Sequence, residues 1–195
     1  MNWVGDLIQK NIDRSDSVLN LGCGCMGAIL DVYEHYPKTK LQCSRIIGVD
    51  VHKPYLDWLN QNKPFVETVL HDISRPLPFD DKEFDNVLLL GVIEHMNNYE
   101  EATKVVAEAK RVAHKKVFLS TPKKFHSRAK RIESDEPYKT IGGYNTNQNH
   151  YILITSKWLK QQQFKVVSIN GFILKLPPQD IKSIRENSFF AICTH

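Results

Sequence analysis

The sequence predicts a doubly wound α/β fold, and three observations predict it. Strand-like and helix-like segments alternate through the first 120 residues, the pattern of a parallel sheet with helices on both faces. Val87-Leu88-Leu89-Leu90 ends an apolar strand from Phe84, and such a strand needs neighbours covering both its faces. A glycine-rich turn, Gly22-Cys23-Gly24-Cys25-Met26-Gly27, joins the first strand-like segment to a helix-like one.

The elements follow in order. Trp3, Val4, Leu7, Ile8 and Ile12 lie at helical spacing, so an amphipathic helix opens the chain. Ser17 to Leu21 reads as a buried strand ended by glycines, with a helix from about Gly27 to Tyr36. Arg45 to Asp50 is a second strand, Lys53 to Asn62 a helix with Leu56 and Leu59 on one side, and Phe65 to Leu70 a third strand. After the fourth strand, Ala102, Val105, Val106, Ala109, Val112 and Ala113 repeat at threes and fours, while Glu101, Lys104, Glu108 and Lys110 take the opposite side. Val117 to Leu119 is a fifth strand. Thr121 to His150 loses periodicity and is expected to be an irregular, lid-like segment of a single domain spanning residues 1–195. A short helix from Thr155 to Gln163 and strands at Lys165 to Ile169 and Ser188 to Thr194 suggest an antiparallel edge.

Composition narrows the class. The apolar share of 42% and the charged share of 25% are ordinary for a globular protein. No apolar run approaches the roughly 20 residues that span a bilayer, and Met1 to Asp6 lacks a basic stretch leading into an apolar one, so a cytoplasmic location and no membrane association are expected. Cys23, Cys25, Cys43 and Cys193 are scattered rather than framed, and Cys23-x-Cys25 is too closely spaced for a zinc knuckle. A net charge of +4 permits an anionic partner without demanding one.

Gly22, Gly24 and Gly27 make a G-x-G-x-x-G string in the strand-to-helix context that gives it meaning. Glycines let the backbone turn sharply and approach a ligand, and the helix amides then face it. The string alone also suits a dinucleotide or a ligand-free turn. Asp50, followed by Val51, ends the second strand, where a carboxylate can accept both hydroxyl protons of a ribose; capping is the alternative. Asp72 and Ile73, with Leu77-Pro78-Phe79 beyond, could hold an adenine by its amine and its face, or simply make a turn.

Together these pieces resemble the class I, type 11 family of S-adenosylmethionine-dependent methyltransferases. The array is Val18-Leu19-Asn20-Leu21-Gly22-Cys23-Gly24, Gly48-Val49-Asp50, Asp72-Ile73 with Leu77-Pro78-Phe79, and Phe84-Asp85-Asn86-Val87 running into Ile93-Glu94-His95-Met96. His150, Thr155, Trp158-Leu159 and Phe164 agree more loosely. The resemblance implies a seven-stranded sheet with one antiparallel strand and an S-adenosyl-L-methionine site along the strand C-termini. Gly22, Gly24 and Gly27 would face the methionine moiety, Asp50 the ribose, and Asp72 and Ile73 the adenine; Leu90 and Gly91 would line the floor, and Asn20 and Val51 would be further cofactor-binding residues. Two departures stand out. Asn20 replaces the family's usual acid, and Ala113-His114-Lys115-Lys116 replaces its Lys-Pro-Gly-Gly turn, which must therefore be built differently.

Methyl transfer needs chiefly an acceptor held in line. A base helps only a poor nucleophile such as a hydroxyl, and His95 and His150 are the candidates. Glu94-His95 is also similar to the end of a Glu-x-x-Glu-His metal string found in some O-methyltransferases and in small-RNA 2′-O-methyltransferases, where a later histidine joins it, a place His150 could take. Gly91 stands where the first glutamate would be, so the string lacks a hard oxygen ligand and no metal is expected. The expected acceptor is a small molecule. The basic stretch Pro122 to Arg131 keeps an RNA acceptor as the alternative, and an inactive binding subunit or a nicotinamide oxidoreductase ranks lower.

Overall fold

Seven strands form one sheet in the computed structural model, which describes residues 7–26, 29–30, 41–123, 138–139, 145–146, 150–167 and 188–195. The strands are β1 (Ser17–Leu21), β2 (Arg45–Asp50), β3 (Val66–Leu70), β4 (Phe84–Leu90), β5 (Ala113–Pro122), β8 (Lys165–Val167) and β9 (Ser188–Thr194). Two short strands, β6 (Tyr138–Lys139) and β7 (Asn145–Thr146), pair with each other, antiparallel. The order across the sheet is β3-β2-β1-β4-β5-β9-β8. β3, β2, β1, β4 and β5 run parallel, and β9 runs antiparallel to both β5 and β8. The reversed strand thus lies inside the sheet, and β8 forms the edge.

The helices are α1 (Lys53–Asn62), α2 (Tyr99–Val112) and α3 (Ser156–Gln161), with a 3-10 turn at Ile93–His95. Residues 7–9 are helical, and Ile8 and Ile12 are buried. The expected helix from Gly27 to Tyr36 lies almost wholly outside the described residues, as do Trp3, Val4 and most of the Thr121 to His150 segment.

Alternation along each strand sends successive side chains to opposite faces, and two apolar clusters result. Leu19, Leu21, Val87, Leu89, Val117, Leu119 and Ala191 join Val105, Val106 and Ala109 of α2 and Trp158 and Leu159 of α3. Val18, Leu88, Phe118 and Phe190 join Ile8, Met26, Leu30 and, from α1, Leu56 and Leu59. This is the double winding expected from the apolar run in β4.

Asn98 starts α2 by accepting from the Glu101 amide at 2.9 Å. Glu100 and Glu101 occupy its first turn and Lys110 and Arg111 its last, matching the helix dipole. α2 passes straight into β5 at Ala113, so the turn expected there does not exist. Its lysines are strand residues instead. Lys115 Nζ reaches Asp16 at 2.5 Å and Asp85 at 2.9 Å. Asn86, which is 0% exposed, donates to Asp16 at 2.7 Å, and the Ser17 amide donates to Asp85 at 2.9 Å. This network ties together the N-terminal ends of β1, β4 and β5. It leaves the opposite ends, where crevices form in such sheets, for a ligand.

Candidate functional site

The chain leaves β1 through three left-handed residues in five, with φ of +63° at Gly22, +49° at Gly24 and +55° at Met26. Gly22 is required twice over, because a β-carbon there would also lie 2.6 Å from Val92 Cγ2. Gly24 has nothing within 4 Å of the same position, so its backbone borders open space that a ligand can enter. Gly48 in β2 makes room for the turn, since a β-carbon on it would meet Met26 Cε at 2.6 Å and Cys23 Sγ at 2.9 Å. Gly27 lies outside the described residues.

Asp50 clasps this turn. Its Oδ2 accepts from the Gly24 amide at 2.9 Å and its Oδ1 from the His52 amide at 2.8 Å. Each oxygen keeps a lone pair for a further donor. The Cys23 amide bonds the Val49 carbonyl at 2.9 Å, and the His71 amide bonds the Asp50 carbonyl at 3.1 Å. The ends of β1, β2 and β3 are thereby stitched into one rim. Burial, reinforced by Asp50, pushes the Cys25 thiol up to about 11 and raises Cys23 as well, so neither is a thiolate at neutral pH.

On that rim Val51 is 70% exposed, an apolar surface beside the carboxylate. Asp72 is half-buried; the Ser74 hydroxyl and amide donate to its Oδ1 at 2.7 and 3.0 Å, and the hydroxyl first of all holds it below the usual carboxylate range. Ile73 and Leu77 are buried in the core, so their side chains offer little surface to an adenine. Asn20 is buried within β1 between Gly48 and Leu88. Leu90 is half-buried, and Gly91, exposed and at φ +69°, donates its amide to the Ser120 carbonyl at 2.9 Å.

The acceptor-side candidates come together. Val92, packed on Gly22, leads directly into the turn that carries Glu94 and His95. The Tyr151 amide donates to the Glu94 carbonyl at 2.9 Å, which brings His150 opposite. The His95 and His150 rings are 4.8 Å apart at 84°. One ligand atom from each of Glu94, His95 and His150 lies within 4.8 Å of the others. Glu94 is 3% exposed, and burial raises its carboxyl above the usual value, against the opposing pull of His95.

The sequence reading quotes Gly48 beside Asp50 but gives it no role, and it misses Val92. A glycine inside a strand signals close backbone approach, so Gly48 was readable. Val92 bears no such mark.

The site fits S-adenosyl-L-methionine: a glycine turn bordering open space, a carboxylate on the rim and an exposed apolar residue beside it. Comparison with protein families agrees. A model described as a methyltransferase domain matches residues 19–120. The chain belongs to this family of class I methyltransferases, and S-adenosyl-L-methionine is its cofactor. Sequence comparison with curated proteins finds no match. Among solved structures, it is similar to an S-adenosylmethionine-dependent methyltransferase from Methanosarcina mazei, at 14% identity and TM-score 0.61, covering 96% of both chains. It is also similar to the 1,6-didemethyltoxoflavin-N1-methyltransferase of Burkholderia thailandensis, bound to its acceptor and S-adenosylhomocysteine, at 17% identity and TM-score 0.59, covering 98% of this chain and 76% of that one. The N-methyltransferase NodS from Bradyrhizobium japonicum shows 10% identity and TM-score 0.60, covering 92% of this chain and 85% of that one. At these identities the three share the fold. Among the described residues no helix is long and apolar enough to cross a membrane.

Proposed function

We propose that this methyltransferase acts on a small-molecule acceptor by direct in-line transfer, with the acceptor held on the side of Glu94, His95 and His150. The observation that carries this reading is the packing of Val92 on Gly22, which sets the Glu94–His95 turn directly against the cofactor turn. Small-molecule acceptors are supported by the toxoflavin-precursor enzyme of the same fold and by the modest net charge of +4.

When bound, the cofactor supplies an already activated sulfonium methyl group, so the protein's task is placement. Gly22 and Gly24 bring backbone close to it, Asp50 and Val51 take its ribose side, Asp72 its adenine side, and Leu90 and Gly91 the floor. His95 and His150 orient the acceptor, and an imidazole there can take a proton from a hydroxyl at neutral pH.

Isothermal titration with S-adenosylhomocysteine tests the cofactor half, with micromolar affinity expected, on the order of −8 kcal/mol. Turnover measured with radiolabelled methyl donor against a panel of small hydroxylated and aminated compounds, with RNA alongside, tests the acceptor half. Transfer to RNA alone refutes the small-molecule reading.

A further inference from the structure

We infer that the methyl acceptor is a basic amine, primary or secondary, whose nitrogen is held by the Glu94 carboxylate in the space over Gly91. The inference rests on the small-molecule reading and narrows it to one chemical class.

Gly91 is exposed, and a β-carbon on it would have one neighbour within 4 Å among the described residues, Glu94 Oε1 at 3.7 Å. The carboxylate therefore borders the open space at the end of β4, beside Val92 and so beside the cofactor turn. Glu94 is held firmly there. Its backbone carbonyl accepts from the Tyr151 and Ile152 amides at 2.9 and 3.4 Å, and its side chain hydrogen-bonds the buried Thr121 hydroxyl near the end of β5.

Charge selects the occupant. Glu94 is 3% exposed, and no lysine or arginine among the described residues acts on it. Lys123, two residues past Thr121, lies over the Phe189 ring at 5.2 Å. The Thr121 hydroxyl satisfies an oxygen without neutralising a charge. A buried carboxylate is stabilised most by a cation that also donates hydrogen bonds, which an ammonium group does. A carboxylate or phosphate on the acceptor would meet the Glu94 charge instead.

The histidines suit the same class. A protonated amine must lose a proton before it can attack, and His95 or His150 takes it. An alkylammonium releases its proton at about pH 10.4, as lysine does, against about 15.7 for water, so transfer to an imidazole is far less uphill from nitrogen than from a hydroxyl. The nitrogen lone pair then forms the N–C bond to the methyl group while the C–S bond breaks and its electron pair stays on sulfur. The products are the N-methylated ammonium, S-adenosylhomocysteine and one proton, which the imidazole passes to solvent.

The full chain, saturated with S-adenosylhomocysteine, is titrated by calorimetry with benzylamine, benzyl alcohol and benzoate, and with butylamine, butanol and butyrate. At least one amine should bind roughly ten-fold or more tighter than its alcohol, and neither carboxylate should bind. Glu94→Gln keeps the shape and removes the charge. It should weaken that amine by roughly ten-fold or more and leave S-adenosylhomocysteine affinity unchanged, which also reports that the variant is folded. If Glu94→Gln does not fold, Gly91→Ala, whose methyl group enters the same space, should weaken the amine likewise. The inference is overturned if no amine binds, if an alcohol or carboxylate binds as tightly as its amine, or if folded Glu94→Gln binds the amine as wild type does. Radiolabelled methyl transfer to an alcohol but to no amine would overturn it and leave the small-molecule reading standing. Transfer to RNA alone would overturn both, and wild type that binds no S-adenosylhomocysteine would remove the cofactor site and the inference with it.

Discussion

Replacing Gly22 by alanine sets a methyl group 2.6 Å from Val92 Cγ2 and 2.9 Å from Cγ1. Val92 is 6% exposed, and a β-branched side chain has no easy alternative rotamer in which to retreat. The substitution also places a β-carbon at φ +63°, a left-handed conformation that costs a non-glycine residue roughly 1–2 kcal/mol. Overpacking adds about 1–3 kcal/mol. The sum is about 2–5 kcal/mol of lost stability. Gly24→Ala is the matched comparison. Its φ of +49° brings the same conformational cost, but its new methyl group meets nothing within 4 Å. That variant should lose only about 1–2 kcal/mol. Urea unfolding followed by circular dichroism reads both. With a slope of about 2 kcal/mol per molar, the midpoint should fall by about 1–2.5 M for Gly22→Ala and by about half to one molar for Gly24→Ala. Equal shifts, or a larger one for Gly24→Ala, would refute the claim that Val92 locks the turn.

Asp50→Ala removes the acceptor of two amide bonds and, on the proposed reading, of the ribose hydroxyls, and should weaken S-adenosylhomocysteine binding by roughly 1–3 kcal/mol in calorimetry; unchanged affinity would remove Asp50 from the site. His95→Ala should lower turnover by roughly 10²–10⁴-fold while sparing S-adenosylhomocysteine affinity. A lower melting temperature with an unchanged rate per folded molecule would make His95 a packing residue only. Burial pushes Asp16 and Asp85 up, but Lys115, Asn86 and the amides around them more than reverse this, so both carboxyls titrate below 3.8 when folded. Their stabilisation is present above 3.8 and fades as pH falls through the folded values, while Lys115, raised above 10.5 by these same carboxylates, loses its share at still higher pH. The stability difference between wild type and Lys115→Met should therefore be flat across the neutral range and shrink below about pH 4; a difference that grows on acidification would contradict the network.

Periodicity carried most of the fold. The bounds of β1, β2, α1, β4 and β9 agree with those expected, because each pairs an apolar repeat with a glycine, proline or charged boundary. β5 was expected only at Val117 to Leu119, since His114, Lys115 and Lys116 look like turn residues until Asp16 and Asp85 are known to lie beside them. The place of β9 between β5 and β8 is a matter of pairing across more than sixty residues, which no local pattern encodes. In the site, Gly22, Gly24, Asp50 and Asp72 were legible because backbone geometry and charge restrict residue type there. The grouping of His150 with His95 came only from the resemblance, because the contact that makes it, the Tyr151 amide on the Glu94 carbonyl, spans the fold and leaves no local pattern.

The inserted position of β9 has a consequence for how the protein is made. While the ribosome is still adding residues 168 to 187, β5 has its outer edge unpaired and β8 has no neighbour to join. Only when residues 188–194 emerge can both gaps close, with seven paired positions on β5 and three on β8. The nascent chain therefore carries an open, apolar strand edge from the completion of β5 until β9 emerges, and folding that depends on so distant a pairing is slow. Truncation or misincorporation within this last strand should harm yield in the cell far more than its seven residues suggest, by leaving that edge free to pair with another chain.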